Sequence, residues 1–186
     1  VEFVTNNYPQ VKVIKLKENL GFAEGNNVGI REAFKDDKVK YIFTLNNDTK
    51  IDKDCLQELI SMAEKKREID MWSCKILFYD KPAVINSLGI FVKKYGSAVD
   101  VCFMRPNQKN NLLLQEVFGP CACGALYRRR LLEKIGLFNK NYFAYFEDVD
   151  LAWRARFVGA KCLYNPKAII YHKFSATGGH RSLFKL

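Results

Sequence analysis

The chain has 186 residues, of which 48% are hydrophobic and 27% charged. This length and composition predict one folded domain over residues 1–186 and exclude an intrinsically disordered protein, and no apolar run reaches the roughly 20 residues of a membrane span. The 30 Lys and Arg residues outnumber the 20 Asp and Glu residues, and the net charge of +10 should attract anionic partners such as a phosphorylated substrate, an anionic membrane or a nucleic acid.

The first half of the chain alternates predicted strands and helices. Strands are predicted from Val11 to Leu16 and from Tyr41 to Leu45, and the helix between them begins at Gly21 and runs to about Lys35. An amphipathic helix is predicted from Lys53 to about Lys66, and a core strand from Ile69 to Tyr79. The alternation is typical of βαβ units in an α/β domain.

The second half of the chain predicts a small antiparallel excursion and then a return to the core. Short, more exposed strands are expected from Ala83 to Tyr95 and from Val99 to Met104, followed by a polar mobile loop from Pro106 to Asn111. The remaining predicted elements, apart from one acidic helix, are a strand at Gly124–Tyr127, a helix at Arg130–Ile135, and short strands at Lys161–Tyr164 and Ala168–Tyr171.

The acidic helix is predicted from Tyr145 to Gly159. Val149, Trp153 and Phe157 recur every four residues, with Leu151, Ala155 and Val158 beside them, so we expect one broad face of the helix to be buried. Its first turn carries a cluster of carboxylates that allows two interpretations. Acidic residues stabilise a helix amino terminus, and a general base of an enzyme uses the same residue type. The carboxylates belong to Glu147, Asp148 and Asp150.

A second acidic site follows the strand that ends at Leu45. Asn46, Asn47 and Asp48 form a polar turn directly after an apolar run. Ligands of open α/β sheets bind beyond the carboxyl ends of the strands, so Asp48 would be placed to meet a ligand or a metal ion. The alternative is an Asx turn that only leads into the next helix.

Cysteines and basic residues indicate the compartment and the partners. The six cysteines are dispersed in mostly apolar surroundings, as expected of reduced thiols in a cytoplasmic protein, and no second ligand pair accompanies Cys121 and Cys123 to form a zinc site.

The basic residues form no single stripe with interleaved aromatics, so we expect no nucleic acid partner. Their charge would allow peripheral contact with an anionic membrane, at the inner face of the cell membrane.

Five features follow one another with compatible gaps and cover nearly the whole chain. They are NLGFAEGNNVGI (19–30), YIFTLNNDT (41–49), CGALYRR (123–129), YFEDVDLAWRARFVG (145–159) and the terminal His172. In this order they resemble glycosyltransferase family 2, particularly its rhamnosyltransferase-like branch. The resemblance implies the GT-A fold, a Rossmann-like α/β fold with a three-layer mixed sheet.

The resemblance also implies an enzymatic activity. It is that of a metal-dependent inverting glycosyltransferase, which moves a sugar from a UDP- or dTDP-linked donor to a saccharide or lipid-linked acceptor in surface polysaccharide biosynthesis. Mn²⁺ or Mg²⁺ would neutralise the diphosphate leaving group, and a histidine ligand favours Mn²⁺. The alternatives are a non-catalytic nucleotide-sugar-binding remnant of the fold and a basic nucleic-acid-associated domain.

Matching positions give individual residues their roles in this resemblance. Asp48 and His172 would hold the metal ion, and Asp148 would be the catalytic base. Asn46 stands where the family's metal motif has its first acid. Without the resemblance, His172 is equally well interpreted as a strand-end imidazole bonded to the backbone. Substrate-binding roles are implied for Asn19, Gly21, Asn26, Asn46, Asn47, Gly124, Ala125 and Glu147.

The resemblance begins part-way through the family's pattern. Family members begin with a strand and loop that receive the nucleotide, and a second strand whose acidic turn grips the base, and neither precedes Val1. The segment from Val1 to Tyr8 matches the helix after that second strand. We therefore expect a fragment of a longer chain that lacks the first strands of its sheet and exposes apolar sheet surface.

Overall fold

The computed structural model describes residues 1–173, and this part of the chain contains five α-helices and nine strands. The helices are α1 (Glu2–Asn7), α2 (Gly21–Ala33), α3 (Cys55–Lys65), α4 (Arg129–Ile135) and α5 (Glu147–Phe157). The strands are β1 (Tyr41–Leu45), β2 (Thr49–Ile51), β3 (Met71–Phe78), β4 (Ile85–Ser87), β5 (Ile90–Val92), β6 (Ala98–Asp100), β7 (Gln115–Val117), β8 (Gly124–Arg128) and β9 (Cys162–His172). A short 3₁₀ helix covers Lys109–Leu112. No helix within residues 1–173 combines the length and the apolar character that crossing a membrane requires.

One mixed sheet forms the centre of the structure. Its strand order is β1-β8-β3-β9-β2, and β4 and β7 pair with β3 and β9 at its periphery. β3 and β9 run parallel, whereas the other neighbouring pairs are antiparallel. β5 and β6 form a separate antiparallel pair. The predicted α/β class is confirmed, with a sheet that is mostly antiparallel.

Different helices cover the two faces of this sheet. Successive side chains of a strand point to opposite faces, and β3 shows the division. Trp72 and Ile76 join a buried cluster with Leu59 of α3, whereas Met71 and Leu77 join a second cluster that includes residues of α2, α4 and α5. The sheet therefore lies between two helical layers, as the three-layer prediction requires.

The strand predicted from Val11 to Leu16 is wrong. The segment belongs to no helix or strand, no strand partner is found for it within residues 1–173, and Val11, Ile14 and Leu16 are exposed. A strand is stable only when a neighbour takes its backbone hydrogen bonds, and an alternating apolar pattern does not identify that neighbour. In the described part of the chain, β1 is an edge strand of the sheet.

Gly89 divides the strand predicted from Ala83 to Tyr95. Its φ of +128° lies in the region that favours glycine, and a Cβ there would lie 2.9 Å from Val117 Cγ2. β4 therefore ends at Ser87 and pairs with β3, whereas β5 turns away and pairs with β6. The predicted antiparallel excursion is confirmed, with two short strands in place of its long first one.

The two short strands predicted near the carboxyl end are one continuous strand, β9. Pro166 stands between the two predicted segments, but the ladder with β3 continues past it through a register shift between Cys74 and Lys75. Such a bulge allows a proline, which has no N–H to donate, inside a strand. β9 thereby carries His172 to the end of β3, opposite Phe78.

Helix α5 buries only part of the predicted face, since Leu151 and Ala155 are buried but the large aromatic residues are not. Ala152 and Ala155 are buried, whereas Trp153 is 36% and Phe157 80% exposed. A Cβ on Gly119 would lie 2.4 Å from the Cβ of Ala152, so the helix approaches the neighbouring loop through small side chains. The periodic pattern shows which residues share a face of the helix. Only small side chains fit the contact between α5 and the loop at Gly119, so the large aromatic residues lie outside that contact.

Candidate active site

Four chain segments meet where strands β1, β8, β2 and β9 begin or end. They are the turn after β1, the loop before β8, the end of β9 and the first turn of α5. The ladders place Leu45, the last residue of β1, opposite Gly124, the first residue of β8. β2 follows the turn directly and pairs Thr49 with His172. The polar turn therefore leads into a strand, not directly into a helix, and the ladder fixes it beside His172.

The loop before β8 joins the polar turn to α5. The N–H of Asn46 donates to the carbonyl of Cys123 at 3.0 Å, and the N–H of Ala122 donates to Asp148 Oδ2 at 3.1 Å. Burial raises the pKa of the Cys123 thiol, and the charges of Asp48 and Asp148 raise it further. The two acidic sites found separately in the sequence therefore contact the same loop.

Asp48 and His172 face each other at the end of the paired strands β2 and β9. His172 Nε2 lies 3.2 Å from Asp48 Oδ1, and Nδ1 lies 2.9 Å from Asn86 Oδ1. An amide oxygen only accepts hydrogen bonds, so Asn86 holds the ring proton on Nδ1. Burial lowers the pKa of His172, although Asp48 opposes the effect. The neutral ring therefore turns the lone pair of Nε2 toward the carboxylate.

The donor set of this pair fits a divalent cation. Asp48 Oδ1 and Asn46 Oδ1 are both buried and accept no hydrogen bond within residues 1–173. Carboxylate, amide oxygen and neutral imidazole are ligands that Mn²⁺ and Mg²⁺ sites use. No group of three His, Cys, Asp or Glu side chains suited to a metal occurs in the described part of the chain, so a bound ion would need ligands from substrate or water.

Asp148 is fixed by two backbone N–H groups. Its Oδ2 accepts the bond from Ala122, and its Oδ1 accepts one from Val149 at 2.8 Å. Burial raises the pKa of Asp148 to about 6; the hydrogen bond from Ala122 opposes this rise, and the charge of Asp100 adds to it. An oriented carboxylate with a pKa near neutrality has the properties of a general base.

Glu147 enters the interior beside Asp148. It is 6% exposed, and its Oε2 has no hydrogen-bond partner among the described residues. Burial, followed by the charge of Asp148, raises the pKa of Glu147 to about 7. Tyr145 and Phe146, which precede it, have φ angles of 70° and 67°, an unusual conformation for large side chains. The chain therefore turns sharply just before the helix begins.

Asp150, the third carboxylate, has a structural role. Its Oδ2 pairs with the guanidinium of Arg154 at 2.7 Å. The same guanidinium donates to the carbonyls of Ile135 and Leu137 at 2.7 and 2.8 Å, and so ties the end of α4 to α5. The helix-stabilising interpretation of the acidic cluster therefore applies to Asp150.

Of the residues predicted to hold the donor, Asn19 precedes α2, and Gly21 and Asn26 lie in its first two turns. Asn19 Oδ1 accepts the N–H of Gly21 at 2.9 Å, and a Cβ on Gly21 would lie 2.3 Å from the carbonyl oxygen of Phe143. That carbonyl also accepts the N–H of Phe22 at 2.6 Å. Asn26 donates to the carbonyl of Phe22 within the helix. These contacts join α2 to the segment before α5, and contacts of these residues with a donor stay predictions.

Gly124 and Ala125 are buried inside the sheet. A Cβ on Gly124 would lie 2.2 Å from Ile170 Cδ1, so a larger residue fits only if the end of the Ile170 side chain moves. Ala125 is fully buried in the cluster that includes α5. Contact of either residue with an acceptor stays a prediction. Asn47 is exposed in the polar turn, where a substrate contact also stays a prediction.

Three further residues reach the cleft without having been predicted. Asn86 bonds to His172, the neighbouring Ser87 donates its hydroxyl to the carbonyl of Gly89 at 3.2 Å, and the charge of Asp100 raises the pKa of Asp148. Asn86 and Ser87 are buried polar residues within a mostly apolar run (83–92), and such residues need hydrogen-bond partners, which is a signal that could have identified them. Asp100 follows a polar hairpin turn, and nothing in the sequence pattern distinguishes it.

The chain resembles known proteins in sequence and in structure. Its relative among curated proteins, the low-salt glycan biosynthesis hexosyltransferase Agl10 of Haloferax volcanii, is 25% identical over 146 residues, which are 74% of this chain and 44% of that protein. A crystal structure of GalNAc-T7 with UDP, GalNAc and Mn²⁺ is similar with a TM-score of 0.70 and 14% identity, over 92% of this chain and 34% of that one. The chain thus spans less than half the length of either protein.

The structural likeness confirms the predicted GT-A fold, since an identity of 14% over most of the chain supports the fold alone. The model of the family described as glycosyl transferase family 2 matches residues 1–136. This range includes the polar turn with Asp48 and the loop before β8, and it ends before α5. The rhamnosyltransferase-like branch stays a prediction. Because the match covers most of its length, the chain belongs to glycosyl transferase family 2.

Proposed function

We propose that this chain is the catalytic domain of a metal-dependent inverting glycosyltransferase. It moves a hexose from a UDP- or dTDP-linked donor to a hydroxyl of a saccharide or lipid-linked acceptor. Family membership supports glycosyl transfer. The observation that supports the finer proposal is that the hydrogen-bonded Asp148 and the polar turn of the facing pair Asp48 and His172 are held by the same loop, through Ala122 and Cys123.

Asp48 and His172 would hold Mn²⁺ or Mg²⁺, and Asn46 would assist through its amide oxygen. The bound ion would supply neutralisation of the charge that develops on the diphosphate leaving group. Support comes from the buried oxygens of Asp48 and Asn46, which lack hydrogen-bond donors among the described residues, and from the UDP and Mn²⁺ in the GalNAc-T7 structure. The imidazole of His172 favours Mn²⁺.

Asp148 accepts the proton of the acceptor hydroxyl while the hydroxyl oxygen attacks the anomeric carbon. The bond between that carbon and the diphosphate breaks in the same step, so a single displacement inverts the centre. With a pKa of about 6, Asp148 is ionised at pH 7–8 and still basic enough to take the proton. Glu147, with a pKa of about 7, is partly protonated there and adds less than a full second charge.

The proposed acceptor is a glycan, and the proposed location is the inner face of the cell membrane. The relative Agl10 is a hexosyltransferase of glycan biosynthesis, which supports a glycan acceptor and a role in surface polysaccharide synthesis. The net charge of +10 supports peripheral contact with anionic lipids at the inner face of the cell membrane. Salt-sensitive binding to anionic vesicles would test that contact.

The test compares variants of the full-length protein with UDP- and dTDP-hexoses in Mn²⁺, Mg²⁺ or EDTA. Asp48→Ala should abolish cation-dependent donor binding in calorimetry, and His172→Ala should weaken it. Asp148→Asn should lower kcat on the order of 10²-fold or more with little change in donor Kd, because it removes the proton acceptor and keeps the shape. In the parent, kcat should rise with pH through about 6, as Asp148 ionises.

Asp150→Asn is the matched control for Asp148→Asn. It removes a carboxylate from the same helical turn, but one that pairs with Arg154. It should cost roughly 0.3–1 kcal/mol of stability and leave kcat near the parental value. An Asp148→Asn enzyme with a near-parental rate would contradict the assignment of the base. Donor binding without transfer or hydrolysis would favour a non-catalytic nucleotide-sugar-binding domain.

A further inference from the structure

Lys173 directly follows β9 and lies beside Asp48 and His172. Its backbone N–H donates to the carbonyl of Asp48 at 2.9 Å. Nε2 of the preceding residue, His172, lies 3.2 Å from Oδ1 of Asp48. On the other side, the N–H of Tyr79 donates to the carbonyl of His172 at 2.9 Å. These contacts fix the backbone of Lys173 next to the proposed metal ligands.

The ammonium group of Lys173 rests on the ring of Tyr79. Its Nζ lies 5.3 Å from the centroid of that ring, and both residues are exposed. A cation–π contact at an exposed site is a weak interaction, so the side chain can leave the ring at little cost. None of the ion pairs within residues 1–173 involves Lys173. The ammonium group is therefore accessible to an anion.

The carboxylate of Asp48 and the ammonium group of Lys173 do not pair, although their backbones are in contact. Asp48 Oδ1 is buried and accepts no hydrogen bond from the described residues, and its close neighbour is the imidazole of His172. A bound cation would satisfy the carboxylate, and a bound anion would satisfy the ammonium group. The two neighbouring groups together therefore fit a ligand that brings both charges.

A diphosphate that carries a divalent cation is such a ligand. Carboxylates bind Mg²⁺ and Mn²⁺, and lysine ammonium groups bind phosphate oxygens as point charges. The diphosphate gains negative charge as its bond to the sugar breaks, so a cation already placed beside it stabilises the transition state more than the ground state. Asp48 belongs to the pair proposed to hold the metal ion of the donor, so the diphosphate beside Lys173 is that of the donor.

We propose that Lys173 binds a phosphate oxygen of the donor's diphosphate and stabilises the charge that develops there as the sugar leaves. This inference rests on the proposed glycosyl transfer. The ammonium group leaves the ring of Tyr79 when the donor binds, because a charge-assisted hydrogen bond to phosphate is stronger than an exposed cation–π contact.

The test is Lys173→Met in the full-length protein, with UDP and dTDP as calorimetric probes in Mn²⁺. Met keeps the length of the side chain and the backbone N–H and removes the charge. Kd for the diphosphate that the parent binds should therefore rise about 10-fold or more, and kcat for hexose transfer should also fall. Binding of Mn²⁺ alone should not weaken, which separates this effect from damage to the metal ligands. Lys173→Arg should recover most of the affinity, because it restores the charge.

Two further variants separate phosphate binding from a structural role. Tyr79→Leu removes the ring and keeps the lysine, so the diphosphate Kd should stay within about threefold of the parental value. Lys167→Met is the control, because Lys167 is an exposed lysine earlier in β9. It should leave Kd and kcat unchanged. Thermal unfolding of each variant verifies that it is folded at the assay temperature.

The outcomes distinguish this inference from the proposed function. If the parent transfers sugar and Lys173→Met keeps the diphosphate Kd and kcat within about twofold, the inference is overturned and the proposed function stands. A loss that appears only in the acceptor KM, or an equal loss in Tyr79→Leu, also overturns it. If the parent neither binds UDP or dTDP nor transfers any hexose, the proposed function fails, and the inference fails with it.

Discussion

Glu147→Gln should stabilise the fold at alkaline pH and have much less effect at acidic pH. Burial and the charge of Asp148 raise the pKa of Glu147 from 4.5 to about 7. The folded chain therefore binds this proton more tightly than the unfolded chain. The resulting stabilisation is complete below about pH 4.5 and is lost as the pH rises through about 7. Above that pH the fold retains a buried ionised carboxylate, which Gln replaces.

The magnitude follows from the difference between the two pKa values. From 4.5 to about 7 is about 2.5 pH units, and at 1.36 kcal/mol per unit the ionised group costs about 3 kcal/mol well above pH 7. The amide of Gln brings new N–H donors into a buried place, which costs part of that gain at every pH. The difference between variant and parent should therefore change by about 2 kcal/mol between pH 5 and pH 8.

Urea denaturation in EDTA at pH 5 and pH 8, followed by tryptophan fluorescence, measures this difference. Glu68→Gln is the control, since Glu68 is exposed in the turn before β3. Its stability relative to the parent should be the same at both pH values. The reasoning about Glu147 would be refuted if Glu147→Gln also gave the same stability difference at both pH values.

Two further predictions concern packing, and urea denaturation tests both. Gly124→Ala should cost about 1–3 kcal/mol, because its Cβ would lie 2.2 Å from Ile170 Cδ1, and Ile170→Val in the same chain should restore part of the loss. Normal stability with a raised acceptor KM would instead favour the acceptor contact. Arg128→Lys should cost about 2–4 kcal/mol, because the guanidinium donates to the carbonyls of Ile69 and Ala63 at 2.7 and 2.6 Å and lysine lacks the planar fork. A loss within about 0.5 kcal/mol, as at ordinary surface positions, would contradict this role.

The elements that depend on local pattern could be predicted from the sequence. The strand predicted at Tyr41–Leu45 matches β1, and the strand predicted at Ile69–Tyr79 contains β3, since buried strands are continuous apolar runs. The failures involve partners distant in sequence. Val11 to Leu16 has a strand pattern without a strand neighbour in the described residues. The guanidinium of Arg128 likewise bonds to backbone carbonyls of another segment, which its own neighbours in the sequence do not indicate.

The candidate site was predicted in part for the same reason. The ordered motifs indicated Asp48, Asp148 and His172, and the β2–β9 ladder brings Asp48 within 3.2 Å of His172. Asn86 and Asp100 were not predicted as site residues, because their positions depend on how β4 and the β5–β6 hairpin separate at Gly89. No periodicity records that geometry, and aspartate is common near turns whether or not it binds a ligand.

The contact between α2 and Phe143 connects the beginning of α2 to the segment just before α5. The carbonyl of Phe143 accepts the N–H of Phe22, and three residues separate Phe143 from Glu147. Two of these three residues, Tyr145 and Phe146, have left-handed backbone angles, so the short connection cannot easily change its conformation when one end is displaced. A ligand that moves the first turn of α2 would therefore also move Asp148. A ligand bound at α2 would in this way affect the geometry of the proposed proton acceptor.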